Sequence, residues 1–187
     1  MTFNEINILA VDNLIKILKE KVILGSTTQT GYVIGDKSAV CFQDVPLYAL
    51  IQNVEHERKR RERNSREKLR YCGVGLSFIK PYMYATYGAR PVIYEQTDIA
   101  KALLQKEEWW RIVKLDFKKL ENEDFDIVDW SHEREWRVPG DMKFEYDNDY
   151  VHIILYNPNC FVYFLEKCHS EIVKRVSGIT TLTSILM

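Results

Sequence analysis

The sequence lacks any apolar run that approaches the ~18 residues needed to cross a bilayer. Its first residues also lack the basic and apolar regions of a signal peptide. No charge of one sign dominates, because the formal net charge is −1, and this excludes a protein that covers nucleic acid or an anionic membrane with its whole surface. These absences predict a cytoplasmic protein without a membrane partner. Any binding of nucleic acid is expected to involve a local patch of the surface.

Several motifs of known chemistry are missing as well. There is no Gly-x-Gly-x-x-Gly, no phosphate-binding Gly-x-x-x-x-Gly-Lys-Ser/Thr, no His-Glu-x-x-His and no Gly-x-Ser-x-Gly. None of the four cysteines forms a Cys-x-x-Cys pair, which predicts reduced structural thiols. Cys160, Cys168 and His169 could supply three metal ligands, but no fourth ligand is suitably spaced, so no metal site is predicted.

The chain is long enough to bury a core of its own, and it shows neither a repeat nor a linker. We therefore expect a single α+β domain over residues 1–187, with a mixed or antiparallel sheet flanked by helices. Apolar periodicity and capping residues predict helices over 12–25, from about 44, from 80, over 98–120 and over 157–176. Strands are predicted over 39–42, 71–78, 91–94, 134–138, 151–156 and 178–186, with an acidic turn over 121–129.

Residues 55–70 form the most polar part of the chain. No aliphatic or aromatic side chain occurs from Glu55 to Lys68, so we expect an exposed basic helix or loop outside the core. One interpretation is a solvated helix face with ion pairs such as Glu57 to Arg61. The other is a patch that attracts nucleic-acid phosphates. Its candidate contacts are Arg58, Lys59, Arg60, Arg61, Arg63 and Arg66.

Two further segments carry residues suited to a ligand. The strand predicted over 71–78 has small residues, Gly73, Gly75 and Ser77, on one side, which fits either tight packing or close approach of a ligand. The helix from Lys80 carries three tyrosines, which fit either a half-buried packing surface or a platform that stacks on a base or nicotinamide. These are Tyr82, Tyr84 and Tyr87.

The segment His132-Glu133-Arg134-Glu135-Trp136-Arg137 is the best candidate for a functional site. In a strand, alternate side chains share a face, so Glu133, Glu135 and Arg137 are expected to point together. Two carboxylates and a guanidinium on one surface can orient a sugar hydroxyl and hold a pyrophosphate. The same pattern also fits a ladder of cross-strand salt bridges on a solvated sheet face.

Four ordered blocks of the sequence resemble the AbiGi-type abortive phage infection family. That family has a Cys-Phe-x-Asp-x-Pro-Leu block, a Tyr-Gly-x-x-Gly-Ile-x-x-x-Lys block, a Pro-Val-x-Tyr block and a Glu-Trp-Arg block. The corresponding segments of this chain are Val40–Leu47, Tyr71–Lys80, Pro91–Tyr94 and Glu133–Arg137. The opening pattern of Asp12-Asn13-Leu14 and Ile17-Leu18 is also similar to the start of DarT-like DNA ADP-ribosyltransferases, with Asn7 at the position of their histidine.

The resemblance implies an ADP-ribosyltransferase-like fold with NAD as a substrate. It implies that Glu135 stabilises the transition state at the nicotinamide ribose and that Glu133 addresses the acceptor. Arg137 is expected to hold a phosphate or to brace the strand, and Tyr71 or a tyrosine of the following helix to stack on nicotinamide. The residues expected to bind NAD are Asn7, Tyr71, Ser77, Tyr82 and Arg137.

Two functions of different classes follow. The first is a phage-defence toxin that transfers ADP-ribose from NAD to a nucleic-acid or protein acceptor, with the segment 56–70 as an electrostatic guide. The second is a non-enzymatic binding module of a defence or toxin–antitoxin system, with an antitoxin or a phage protein as its partner. A nuclease ranks third, because no carboxylate cluster is spaced for metal ions.

Overall fold

The computed structural model describes residues 1–64, 69–121, 123–146 and 150–185. The fold is mixed α+β, with helices and several small sheets. The chain divides into two compact units, each assembled from separate stretches of sequence. The first unit comprises Met1–Val22, Pro46–Ile79 and Phe144–Met187, and the second comprises Ile23–Val45 and Lys80–Lys143.

The α-helices are α1 (Phe3–Glu20), α2 (Leu47–Arg63), α3 (Lys80–Tyr87), α4 (Thr97–Leu103), α5 (Pro158–Lys167) and α6 (Ser170–Arg175). Short 3₁₀ helices span Lys106–Arg111, Ser131–Glu133 and Leu182–Ile185. The strands are β1 (Val22–Ile23), β2 (Ala39–Gln43), β3 (Gly75–Ser77), β4 (Arg90–Pro91), β5 (Ile93–Glu95), β6 (Ile112–Lys114), β7 (Asp116–Lys119), β8 (Phe125–Val128), β9 (Glu135–Pro139), β10 (Met142–Lys143), β11 (His152–Leu155) and β12 (Gly178–Thr181).

Helix α1 begins nine residues before the predicted start at Asp12. Thr2 and Glu5 form a capping box, in which the Thr2 side chain accepts from the Glu5 N–H and the Glu5 carboxylate accepts from the Thr2 N–H. The apolar spacing of three and four residues then places one stripe of α1 in the core of the first unit. The buried residues of this stripe are Phe3, Asn7, Val11, Leu14, Ile15 and Leu18.

The first unit contains a three-stranded sheet of order β12–β11–β3. Strand β11 lies in the centre, parallel to β12 and antiparallel to β3, and its apolar residues Ile153, Ile154 and Leu155 are buried. The flanking strands are shorter than predicted. Strand β3 occupies three residues of the predicted 71–78, and β12 ends at Thr181, where a 3₁₀ helix follows.

The described residues of the second unit form several small sheets in place of one larger sheet. Strand β9 lies between β2 and β4 and is antiparallel to both. Strands β5 and β6 form a parallel pair, and β7 and β8 form an antiparallel hairpin. The expectation of helices beside mixed or antiparallel sheets is confirmed, whereas the sheets are several and small.

The prediction of a helix over 98–120 is wrong. Helix α4 ends at Leu103, a 3₁₀ helix follows, and the chain then enters β6 and β7. The β-branched residues Ile112 and Val113 are buried in β6, where they pair with Ile93 and Tyr94 of β5. Pairing along a sheet suits β-branched side chains better than a helix does, so tertiary contacts decide the structure of this segment.

The predicted C-terminal helix is divided into α5 and α6. The Asn157 side chain caps α5 by accepting from the Cys160 N–H, as the Asn-Pro start predicts. The backbone becomes extended at Cys168, and α6 begins at Ser170 after a short break that contains His169, a weak helix former. Among the described helices, none combines the length and the apolar character that a membrane span requires.

Candidate functional site

Strand β9 places the two most buried charged side chains of the second unit side by side. Glu135 and Arg137 are two residues apart in the strand and therefore point to the same face of the sheet. Arg137 Nε donates to Glu135 Oε1 at 2.7 Å, and an Arg137 terminal nitrogen donates to Glu135 Oε2 at 3.3 Å. Their exposed fractions are 7% and 2%, so this ion pair lies inside the unit and not on a solvated sheet face.

The remaining N–H groups of Arg137 donate to backbone carbonyls. One terminal nitrogen donates to Trp110 O at 2.6 Å and to Ile112 O at 3.3 Å, and the other donates to Tyr32 O at 3.5 Å. Arginine has five N–H groups, and each of them has an acceptor here. The guanidinium thus fixes the Glu135 carboxylate and ties β9 to two other backbone segments, at Tyr32 and at Trp110–Ile112, which corresponds to the bracing role considered from the sequence.

Two further polar groups adjoin the pair. Tyr94 Oη accepts a hydrogen bond from the Glu135 backbone N–H at 2.8 Å, and burial raises the pKa of the Tyr94 phenol. Cys41 stands opposite Arg137 in the β2–β9 register. The Cys41 side chain is exposed, and partial desolvation, followed by the negative charge of Glu135, raises the pKa of its thiol.

The predicted common face for Glu133, Glu135 and Arg137 is wrong with respect to Glu133. Residues Ser131–Glu133 form a 3₁₀ helix, and Arg134 has left-handed backbone angles (φ 48°, ψ 49°). The strand begins only at Glu135, so strand alternation does not extend back to Glu133. Glu133 is half-buried, and its negative charge contributes to the raised pKa of Tyr94.

A charged cluster surrounds the start of β9. Asp44 Oδ2 accepts from Lys80 Nζ at 2.6 Å and from an Arg134 terminal nitrogen at 3.4 Å, and the Asp44 backbone N–H donates to Arg134 O. Lys80 Nζ also lies 4.6 Å from the centroid of the Trp136 ring. Asp44 therefore holds Arg134, the residue with left-handed backbone angles that immediately precedes Glu135.

This arrangement joins residues from all four sequence blocks. The first block supplies Asp44, the second supplies its last residue Lys80, and the third supplies Tyr94. Each of these residues contacts the fourth block. Asp44 contacts Arg134, Lys80 contacts Trp136, and Tyr94 contacts the backbone of Glu135. The blocks are far apart in sequence, and their residues meet around Arg134–Trp136 at the start of β9.

The other residues expected to bind NAD lie elsewhere along the chain. Asn7, Tyr71 and Ser77 belong to the first unit, and Tyr82 lies on α3 in the second. Tyr82 packs edge-on against Tyr87, with ring centroids 6.2 Å apart, as the packing interpretation of the tyrosines predicts. Within the second unit, the predicted residues brought into direct contact are Glu135 and Arg137.

The basic segment is helical as far as Arg63, the last residue of α2. Arg66 lies outside the described residues. Arg58 and Arg60 form ion pairs within α2. Arg58 pairs with Glu55 and Glu62, and Arg60 pairs with Glu57. Within the described residues, exposed Lys59 and Arg63 have no carboxylate partner. These two residues are therefore the best phosphate contacts that α2 offers.

The expectation that residues 55–68 lie wholly outside the core is wrong at Glu57. This side chain is 1% exposed, and its carboxylate accepts from Arg60 at 3.0 Å and from the Arg70 backbone N–H at 2.9 Å. Such donors offset part of the cost of burying a carboxylate, and no apolar pattern in the sequence reveals it.

Sequence reasoning did not single out Cys41, Asp44, Lys80 or Tyr94 as individual site residues. All four lie within the ordered blocks, so the blocks themselves were the available signal. Comparison of the chain with protein-family models, with curated proteins and with solved structures finds no match in any of the three sets.

Proposed function

We propose that this chain is an abortive-infection effector that transfers ADP-ribose from NAD to a nucleic-acid or protein acceptor, with an ADP-ribosyltransferase-like fold and Glu135 as its catalytic carboxylate. The observation that carries the proposal is that residues from four separate blocks meet around Arg134–Trp136. Asp44 and Lys80 contact Arg134 and Trp136, respectively, and Tyr94 contacts the backbone of Glu135. The resemblance of those blocks to the AbiGi-type family gives the meeting its functional interpretation.

In this reaction the bond between the ribose C1′ and the nicotinamide nitrogen breaks, and its electron pair leaves with nicotinamide. A nucleophilic oxygen or nitrogen of the acceptor forms the new bond to C1′ and releases its proton. Glu135 accepts a hydrogen bond from the ribose 2′-hydroxyl and stabilises the positive charge that develops on the ribose. Each carboxylate oxygen has two lone pairs, so the bonds from Arg137 leave capacity for that hydroxyl.

The remaining residues have supporting roles in the proposal. Arg137 keeps the carboxylate in one orientation, because the guanidinium is itself held by three carbonyls. Glu133 addresses the acceptor, as the resemblance implies. Lys59 and Arg63 attract a nucleic-acid acceptor through its phosphates.

The test is to incubate the protein with labelled NAD and separate pools of RNA, DNA and cell protein. We expect label in one pool and release of nicotinamide. Glu135→Gln should reduce both by at least about 10²-fold, since it removes a charge that acts on the transition state. Glu166→Gln, an exposed glutamate on α5, is the matched control and should retain activity.

A second variant covers the case in which Glu135→Gln is unstable. Glu133→Gln should reduce transfer to the acceptor and leave nicotinamide release largely intact, because Glu133 does not act on the ribose in this proposal. Absence of label from every pool, together with absence of nicotinamide release, would contradict the transferase.

A non-enzymatic binding module is the second candidate function. It is favoured by the hydrogen bonds of Arg137, whose N–H groups all have acceptors within the chain. An ion pair with such bonds also serves as a purely structural brace. The two functions differ in cells that express the protein. If growth arrest persists in a folded Glu135→Gln variant, the binding module is supported, whereas loss of arrest supports the transferase.

A further inference from the structure

The hairpin of β7 and β8 turns its apolar side chains toward solvent. The register pairs Phe117 with Ile127 and Lys119 with Phe125, so these four residues share one face. Phe117, Phe125 and Ile127 are 53%, 52% and 57% exposed. We call these three residues the hairpin face. An antiparallel sheet with one solvated side normally turns its polar residues outward, and here the arrangement is reversed.

The opposite side of the hairpin carries the polar residues and is partly covered. Asp116 and Val128 pair at its base and are half-buried, and Asp116 accepts from Lys114 at 3.2 Å. Beyond this basal pair, Lys118 and Asp126 of the opposite side are exposed, so both sides of the hairpin meet solvent there, and its apolar side chains are exposed without a covering partner among the described residues. A contiguous apolar patch of this kind on a protein surface is typical of an interaction site.

The surroundings of the hairpin face are acidic. Residues 116–129 contain six carboxylates against two lysines, in a chain whose net charge is −1. Glu121, Glu123 and Asp124 lie at the turn between the strands, and Asp126 lies on β8, all of them exposed. Charge complementarity thus favours a partner in which apolar side chains are accompanied by lysine or arginine.

The size and the edges of the hairpin indicate what form the partner takes. Three half-exposed side chains of this size offer roughly 300 Å², well below the ~800 Å² per subunit of a standard dimer interface. In the part of the chain that the structure describes, no third strand pairs with either β7 or β8. Open strand edges accept an extended segment through main-chain hydrogen bonds, and an isolated two-stranded hairpin gains stability from a third strand.

We propose that the β7–β8 hairpin is a docking surface for an extended segment of another protein, in which apolar residues alternate with basic ones. The segment adds a strand to the hairpin. Its apolar side chains then continue the hairpin face. Its basic side chains lie on the opposite side, where Asp116 and Asp126 outnumber the one lysine, Lys118. This surface is independent of the transferase proposed above, and its test involves neither NAD nor Glu135.

The probe is a fluorescent synthetic peptide of alternating valine and lysine, added to the full chain and followed by anisotropy. We expect saturable binding. A peptide with glutamate in place of lysine, and one of the same composition with its valines consecutive, should bind at least about tenfold more weakly, since charge and alternation are both required. Failure of the valine–lysine peptide to bind, or equal binding of all three peptides, overturns the proposal.

Variants locate the site. The double substitution Phe117→Ser/Ile127→Ser should weaken binding at least about tenfold, as expected for the loss of central apolar contacts. Leu103→Ser is the matched control, because Leu103 is 76% exposed at the end of α4 in the same unit, and it should leave binding unchanged. Equal binding by the double variant and the control overturns the proposal.

A charge-reversal variant leaves the hairpin face intact and keeps the test decisive if the double variant does not fold. Glu121→Lys/Asp126→Lys should weaken the valine–lysine peptide and strengthen the valine–glutamate peptide. If the charge-reversal variant keeps the wild-type preference for the valine–lysine peptide over the valine–glutamate peptide, the proposal of a basic partner is overturned. Sedimentation of the wild-type chain distinguishes self-association: a dimer that Phe117→Ser/Ile127→Ser abolishes would identify a second copy as the occupant and overturn the proposal.

Discussion

Asn7 holds Gly73 in place across 66 residues of sequence. Asn7 Oδ1 accepts from the Gly73 backbone N–H at 2.7 Å, and Asn7 Nδ2 donates to Phe3 O at 2.8 Å, with the side chain fully buried. A side chain at Gly73 would collide with Tyr156, because a Cβ there would lie 2.6 Å from that ring. Both polar ends of Asn7 are therefore used within the first unit to fix a backbone segment that packs tightly.

Asn7→Ala should lower the free energy of unfolding by about 1–3 kcal/mol, since it leaves the buried Gly73 N–H without an acceptor. Chemical denaturation measures the change. Leu9→Ala, at an exposed position of the same helix, is the control and should shift stability by less than about 0.5 kcal/mol. If Asn7 served only to bind NAD, Asn7→Ala would unfold at the wild-type denaturant concentration.

Arg137→Met should destabilise the chain by about 3–5 kcal/mol, because it leaves the Glu135 carboxylate buried without its partner. Adding Glu135→Gln to that variant should recover part of the loss, so the double variant costs less than the sum of the single ones. The exposed pair of Lys174 and Glu171 provides the control, and Lys174→Met should cost no more than about 1 kcal/mol. Equal effects of Arg137→Met and Lys174→Met would refute the bracing role.

Stability should fall as the pH rises from about 9 to about 12. Folding raises the pKa of the buried Cys160 thiol above its ordinary value of 9.0, and the pKa values of Tyr146 and Tyr156 rise from 10.0 to about 12, in each case chiefly through burial. In this window the unfolded chain has released protons that the native chain retains, so increasing pH favours unfolding. Denaturant titrations at a series of pH values test this expectation.

Tyr156→Phe should weaken the dependence between pH 10 and 12, because it removes one of the groups whose pKa rises from 10.0 to about 12. Tyr48→Phe, at a position that is 60% exposed on α2, serves as the comparison and should retain the wild-type dependence. A flat stability profile above pH 9 in the wild-type chain would disprove the prediction.

Lys59→Gln/Arg63→Gln should reduce the salt dependence of nucleic-acid binding. Each lost phosphate contact lowers the slope of log affinity against log salt by about one, so the double variant should lower it by about two. Lys16→Gln/Lys174→Gln removes the same charge from exposed positions of the first unit and should leave the slope unchanged. Identical slopes for both double variants would exclude α2 as the guide for an acceptor.

Local sequence signals predicted those parts of the fold that depend on neighbouring residues. The start of α2 just after Pro46, the Asn157 cap of α5 and the common face of Glu135 and Arg137 each depend on residues within four positions of one another. The capping box of Thr2 and Glu5 is an equally local signal, and it would have placed the start of α1 correctly.

The remaining features depend on contacts that are distant in sequence. Cys41 and Tyr94 reach Glu135 only through strand pairing and folding of the second unit, which no spacing within β9 indicates. Ile112 and Val113 leave the predicted helix because β5 offers them a partner. Glu57 is buried because the Arg70 backbone donates to it from 13 residues away. Tertiary context overrides local propensity at each of these positions.

The discontinuous course of the chain has a consequence for biosynthesis. The second unit is complete in sequence at Lys143, whereas the first unit receives α5 and the central strand β11 only from residues beyond it. On the ribosome, the helix that begins at Phe3 must therefore wait for its packing partner until after the second unit has emerged. During that interval the apolar side chains of α1 lack the helix against which they pack in the folded chain.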